Sequence, residues 1–202
     1  MAQQIKLYNP SKPQLWANDV VYNKKPFITC MNYGRQTGKS YWGINDALTR
    51  SMNNGRQRIR FVVPSYSLAV KHMQTIDNMF AEHEDIKQKI FKKIKYKEQE
   101  YHFHNGTIMA FLSAEAEDNL RGDTAHFMYI DEAAFIKERT YTEILLPMLT
   151  RTRGRCAMFS TPNGKNWFYD LFQKGLDEKN HDLIYSLKAT YQDLSDQDAY
   201  QD

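Results

Sequence analysis

The chain has 202 residues, enough for one domain with a sizeable core but not comfortably for two. Apolar residues make up 42% and charged residues 25%, an ordinary globular balance, and no run approaches the roughly 20 apolar residues that span a bilayer. The net charge of +3, from 27 Lys and Arg against 24 Asp and Glu, is too mild to announce a nucleic-acid partner by itself.

The first residues, Met1 to Lys6, lack the apolar run of a signal peptide, so an intracellular protein is expected. Residues 1–25 are polar, carry Pro10 and Pro13, and read as an irregular lead-in with one short helix near Leu15 to Val21. Residues 26–32 form an apolar run of strand character that ends in Gly34-Arg35-Gln36-Thr37-Gly38-Lys39-Ser40. Helical spacing follows over 41–52 and stops at Asn53-Asn54-Gly55. A second strand is expected over 58–63, closed by Pro64, and then a helix over 66–80 with Leu68, Val70, Met73, Ile76, Met79 and Phe80 on its apolar face.

Two short apolar runs, 101–104 and 108–112, flank Asn105-Gly106, a strong hairpin signal. A buried strand over 127–130 delivers Asp131-Glu132, and a helix is expected around Tyr141, Ile144, Leu145, Met148 and Leu149. A strand over 155–159 ends at Ser160-Thr161-Pro162, a helix over 166–175 follows, and a strand over 183–189 completes the pattern. Strands alternating with helices predict an α/β fold with a mostly parallel central sheet flanked by helices and an inserted β-hairpin. Cys30 and Cys156 lie in apolar runs and read as buried free thiols. His102 and His104 share a strand face, but no cysteine or carboxylate completes a zinc set around them.

The chemistry concentrates at two places. Gly38-Lys39-Ser40, after a strand and opening a helix, has the context of a phosphate-binding loop, whose backbone amides and helix N-terminus attract phosphate oxygens. Lys39 then reaches the β- and γ-phosphates of ATP, and the Ser40 hydroxyl is placed to ligate Mg²⁺. The pattern departs from the standard loop, since Tyr33 stands where the first glycine belongs. Asp131, at the end of an apolar strand, suits an outer-sphere ligand of magnesium that holds the ion through its bound water, and the adjacent Glu132 suits a general base for the attacking water. Two basic clusters stand apart: Lys87, Lys89, Lys92, Lys93, Lys95 and Lys97, and Arg50, Arg56, Arg58 and Arg60. Each reads either as a solvated face or as a track for a phosphate backbone.

Over residues 14–190 these elements resemble the ATPase half of the terminase large subunit of tailed bacteriophages. Residues 34–40 look like that family's deviant phosphate loop, Leu120-Arg121-Gly122 like its Arg-Gly element, and Ser160-Thr161-Pro162 like its coupling motif. Gln14, after Pro13, is similar to its adenine-reading glutamine. The resemblance implies a P-loop NTPase of the additional-strand, catalytic-glutamate type over residues 1–190, with 191–202 starting a linker or disordered tail and the family's nuclease domain missing. Gly34, Arg35, Gln36, Thr37, Gly38, Lys39 and Ser40 would bind nucleotide, with Arg35 sensing its state. Ser160 and Thr161 would couple hydrolysis to movement, and Arg121 would act as a finger in a neighbouring subunit. The residues alone leave simpler readings: Arg35 as a solvated charge, Arg121 paired with Asp118 or Asp123, and Ser160-Thr161 as a helix cap.

The implied activity is ATP hydrolysis that powers translocation of double-stranded DNA into a prohead, in the host cell cytoplasm. The implied partners are the DNA, the portal of the prohead, the small terminase subunit and further copies in a homo-oligomeric ring, with a monomer in isolation and no membrane. A helicase-like ATPase and a nucleotide-binding module without turnover are the alternatives. Gly34-Arg35-Gln36 and the single-domain length argue against the first, and Glu132 against the second.

Overall fold

The computed structural model describes residues 8–194. The start of the expected lead-in and the last acidic residues of the expected tail, including Asp196, Asp198 and Asp202, lie outside the described residues.

Helix α1 (Lys12–Asp19) leads through a π-helical turn into β1 (Ile28–Tyr33), which feeds α2 (Lys39–Asn53). Next come β2 (Arg58–Val63), α3 (Tyr66–Met79), α4 (Glu84–Ile90), and the outer strands β3 (Phe91–Lys95), β4 (Glu100–Phe103) and β5 (Ile108–Ser113). Short α5 (Glu117–Leu120) precedes β6 (Phe127–Asp131), followed by α6 (Glu138–Thr140), α7 (Leu146–Thr150), β7 (Arg155–Ser160), α8 (Trp167–Lys174) and β8 (Ile184–Ala189).

All strands join one eight-stranded sheet in the order β3-β4-β5-β2-β6-β7-β1-β8. From β5 to β8 every pairing is parallel, whereas β4 pairs antiparallel with β5 across the Asn105-Gly106 turn and β3 pairs antiparallel with β4 at the edge. The fold class expected from the sequence is therefore observed, including the additional strand, since β7 lies between β1 and β6. The edge holds one strand more than the sequence reading, because the lysines of β3 mask its strand character.

Central strands are buried on both faces, which is why they read as continuous apolar runs. Phe61, Phe127, Tyr129 and Phe159 face α1, α2 and α3, while Val62, Met128, Ile130, Cys156 and Met158 face α7 and α8. Helix α2 sits close to the sheet because it has glycine at its contact point: a Cβ on Gly43 would lie 2.5 Å from the Phe159 ring. One turn further along, buried Asp46 pairs with Arg50 at 3.2 Å and accepts a hydrogen bond from Tyr129 of β6. These contacts fix the helix after the phosphate loop against the strand that ends in the acidic pair. Among the described residues, no helix is long and apolar enough to cross a membrane.

Candidate nucleotide site

Beyond the C-terminal ends of β1, β2 and β6 the sheet opens into a cleft of about 410 Å³, the place where α/β sheets bind ligands. Gln36, Gly38, Lys39 and Ser40 line one side, Asp131 and Glu132 its floor, and Leu68, Lys71, His72 and Thr75 of α3 the opposite wall.

The loop leaves β1 at Gly34, whose amide donates to the Ala189 carbonyl at 2.9 Å. Thr37 turns inward and its hydroxyl donates to the Gly34 carbonyl at 2.9 Å, closing the loop on itself. Gly38, with φ of 69°, occupies the left-handed region and starts α2. Tyr33, standing where a glycine was expected, is buried beneath the loop and donates its hydroxyl to the Pro13 carbonyl at 2.8 Å. Gln14 accepts from the Ser11 amide at 2.8 Å and donates to the Gly38 carbonyl at 3.0 Å. Helix α1 thus braces the deviant loop from behind. Gln14 is 4% exposed and keeps one uncommitted amide hydrogen. Arg35 is exposed at the loop's surface.

Glu132 follows β6 in the left-handed region, with φ of 49° and ψ of 46°, a conformation that costs a non-glycine residue about 1–3 kcal/mol. That turn carries its carboxylate across to the loop. Oε1 lies 3.3 Å from Lys39 Nζ, and Oε2 accepts from the hydroxyls of Ser160 and Thr161, both at 3.1 Å, and from the Thr161 amide at 3.2 Å. Ser160 also accepts from the Ala134 amide at 3.3 Å. Ser160 and Thr161 do not cap the next helix; Asn166 does, accepting from the Tyr169 amide at 3.1 Å. Asp131, 1% exposed, accepts from the Glu132 amide at 2.9 Å and contacts His72 at 2.8 Å.

Three other candidates lie away from the cleft or from solvent. Arg121 is exposed beside a groove with Glu143 and Arg151, and among the described residues it has no ion pair. Asp123, one expected partner, is taken by Arg60 at 2.6 and 2.9 Å and by Arg58 at 3.4 Å. Arg50 and Arg60 are buried, so the arginine cluster is no surface track. Lys92 and Lys93 stay exposed on edge strand β3, while Lys87, Lys89 and Lys95 pair with Asp77, Asp85 and Glu100.

The α3 wall carries no motif in the sequence. Leu68, Lys71, His72 and Thr75 recur at helical spacing after the strand beside β6, but only the sheet order shows that this face borders the cleft.

The profile of a family described as the N-terminal part of the T4-like terminase large subunit matches residues 30–202. Over 63 residues the chain is 44% identical to the terminase large subunit of Thermus phage G20c, a match covering 31% of this chain and 13% of that protein. With the terminase large subunit of Escherichia phage T5 the identity is 23% over 186 residues, covering 91% of this chain. The chain thus spans 41% of that relative's length. The large terminase ATPase domain of Thermus phage P74-26 superposes with a TM-score of 0.74 at 23% identity, covering 90% of this chain and 81% of that one. At that identity the likeness is one of fold.

Proposed function

This chain belongs to the terminase large-subunit family, and from that premise we propose that it is an ATP-hydrolysing motor domain that drives double-stranded DNA into a prohead. The observation that carries the proposal is the meeting of Lys39 with Glu132, beside Asp131, in one cleft opened by a phosphate loop.

In this reading the loop amides from Arg35 to Ser40 and the Lys39 ammonium bind the phosphates of ATP, the Gly34 amide being taken by the Ala189 carbonyl. Ser40 and Asp131 line the same cleft with oxygen donors, the set a hard divalent cation takes, and would hold magnesium. When bound, magnesium supplies charge neutralisation on the phosphate oxygens. Glu132 orients the attacking water and takes its proton. Arg35 senses the phosphates from the loop's outer face. Gln14 keeps its adenine-facing role only through its remaining amide hydrogen, its other contacts bracing the loop.

Ser160 and Thr161 hold the same Glu132 oxygen, so a change at Glu132 is passed to the end of β7 and the loop beyond it. That is the coupling role we assign to them. Arg121, away from its own cleft, serves a neighbour in a ring of copies. The portal, the small terminase subunit and the host cytoplasm follow from the same reading.

The test is phosphate release from ATP with linear double-stranded DNA, with single-stranded DNA, and with neither. Stimulation by the duplex supports a packaging motor. Stimulation by single strands alone favours a helicase-like enzyme, and no hydrolysis under any condition removes the proposal.

A further inference from the structure

Asp131 is a carboxylate buried among apolar strands, and such a group needs its oxygens satisfied. Among the described residues it has two partners. The Glu132 amide donates to Oδ1 at 2.9 Å, and Oδ2 lies 2.8 Å from Nε2 of His72. An ionised carboxylate only accepts, so the hydrogen of this contact sits on Nε2. The two contacts hold the carboxylate by both oxygens and leave a lone-pair site on each for further donors.

His72 is itself held. Its ring packs edge-on to Phe61 at 5.3 Å and against Phe111 at 6.1 Å, and the residue is 5% exposed. It stands on the cleft-facing side of α3, one turn from Leu68 and Thr75. The donor is thereby fixed to the sheet before any ligand arrives.

We propose that His72 is a positioning residue for magnesium: it locks the Asp131 carboxylate in the orientation that receives the ion's ligand shell. This rests on the reading that Asp131 serves magnesium in this cleft. Carboxylates that serve a metal are themselves hydrogen-bonded, and losing such an outer partner costs about 10–100-fold in metal affinity or activity.

Two substitutions separate donation from packing. His72→Phe keeps an aromatic ring between Phe61 and Phe111 and removes the donor. His72→Gln places an amide donor near the position of Nε2 and removes the ring. The measurement is equilibrium binding of a non-hydrolysable ATP analogue, first with magnesium chelated and then across a magnesium titration, for the wild type, both variants and Asp131→Asn.

With magnesium chelated, the wild type and both His72 variants should bind the analogue alike. The magnesium concentration giving half of the affinity gain should rise about 10–100-fold in His72→Phe and stay close to the wild-type value in His72→Gln. A His72→Phe titration that overlays the wild type overturns the inference, as does a loss in His72→Gln as large as in His72→Phe. If thermal melting shows that His72→Phe does not fold, His72→Asn, whose amide falls short of the Nε2 position, takes its place with the same expectation. A wild type with no magnesium-dependent gain, matched by Asp131→Asn, would instead remove the underlying reading of the cleft and this inference with it.

Discussion

Lys39 Nζ lies 3.3 Å from Oε1 of Glu132, so one ion pair joins the phosphate loop to the acidic end of β6. A triphosphate and this carboxylate compete for the same ammonium. Glu132→Gln removes the competing charge and should bind ATP at least as tightly as the wild type. Lys39→Ala should weaken binding about tenfold or more, the worth of a hydrogen bond to a charged group. Calorimetric titration of both variants checks this. Markedly weaker binding by the Gln variant would make Glu132 a structural strut.

Arg60 donates to both oxygens of Asp123, and Arg58 adds a longer contact. Burial of Asp123 opposes its ionisation, but the Arg60 hydrogen bonds and charge, the Thr124 amide and Arg58 outweigh it and hold the carboxyl below its usual range. A depressed carboxyl contributes stability above its unfolded pKa of about 3.9 and loses it as pH falls through the folded value. Asp123→Asn should therefore cost about 1–3 kcal/mol at neutral pH, with the gap narrowing below about pH 4. Urea midpoints at both pH values test it, and a gap independent of pH would contradict the pairing.

Strand β3 sits at the sheet edge with Lys92 and Lys93 exposed, so it offers a phosphate backbone two cations. Changing both to Glu should weaken binding of double-stranded DNA and lower the salt slope by about 0.9 per lost phosphate contact. An unchanged slope would make this edge an ordinary solvated strand, its lysines serving to block edge-to-edge pairing.

Much of this arrangement was legible in the sequence because burial on both faces writes itself as apolar runs. The strands ending at Tyr33, Asp131 and Ser160 were each expected to within a residue or two, and the Asn105-Gly106 turn marked the hairpin. Strand β3 was not legible, since an exposed edge strand of lysines lacks that signal. The helix expected near 141–149 is one winding path of α6, a π-helical turn and α7 with Pro147 in its first turn, an irregularity that periodicity does not report. Within the site, the loop and the acidic pair were visible as motifs. The bracing of Gly38 by Gln14, the hold of Ser160 and Thr161 on Glu132, and the approach of His72 to Asp131 join residues from 24 to 59 positions apart. Only the sheet order brings them together.

Arg121 is exposed, free of Asp123, and outside the lining of its own subunit's cleft. A cation supplied in trans to the γ-phosphate is worth about 10³–10⁵ in rate. Specific activity should therefore rise with protein concentration, and Arg121→Ala should remove that rise. Mixing Arg121→Ala with Glu132→Gln should restore part of the activity, because one subunit keeps its base while the other lends its arginine. A mixture that stays inactive while both variants assemble would end the role in trans.

The central claim is that Glu132 performs chemistry in the cleft that Lys39 anchors. The most direct measurement compares phosphate release by the wild type and by Glu132→Gln, with magnesium and linear double-stranded DNA, at nucleotide concentrations where both are shown to be saturated. The account predicts turnover by the wild type and a fall of about 10²-fold or more in the variant, the usual worth of a positioned general base. Equal rates in the two proteins, both fully loaded with nucleotide, would contradict it.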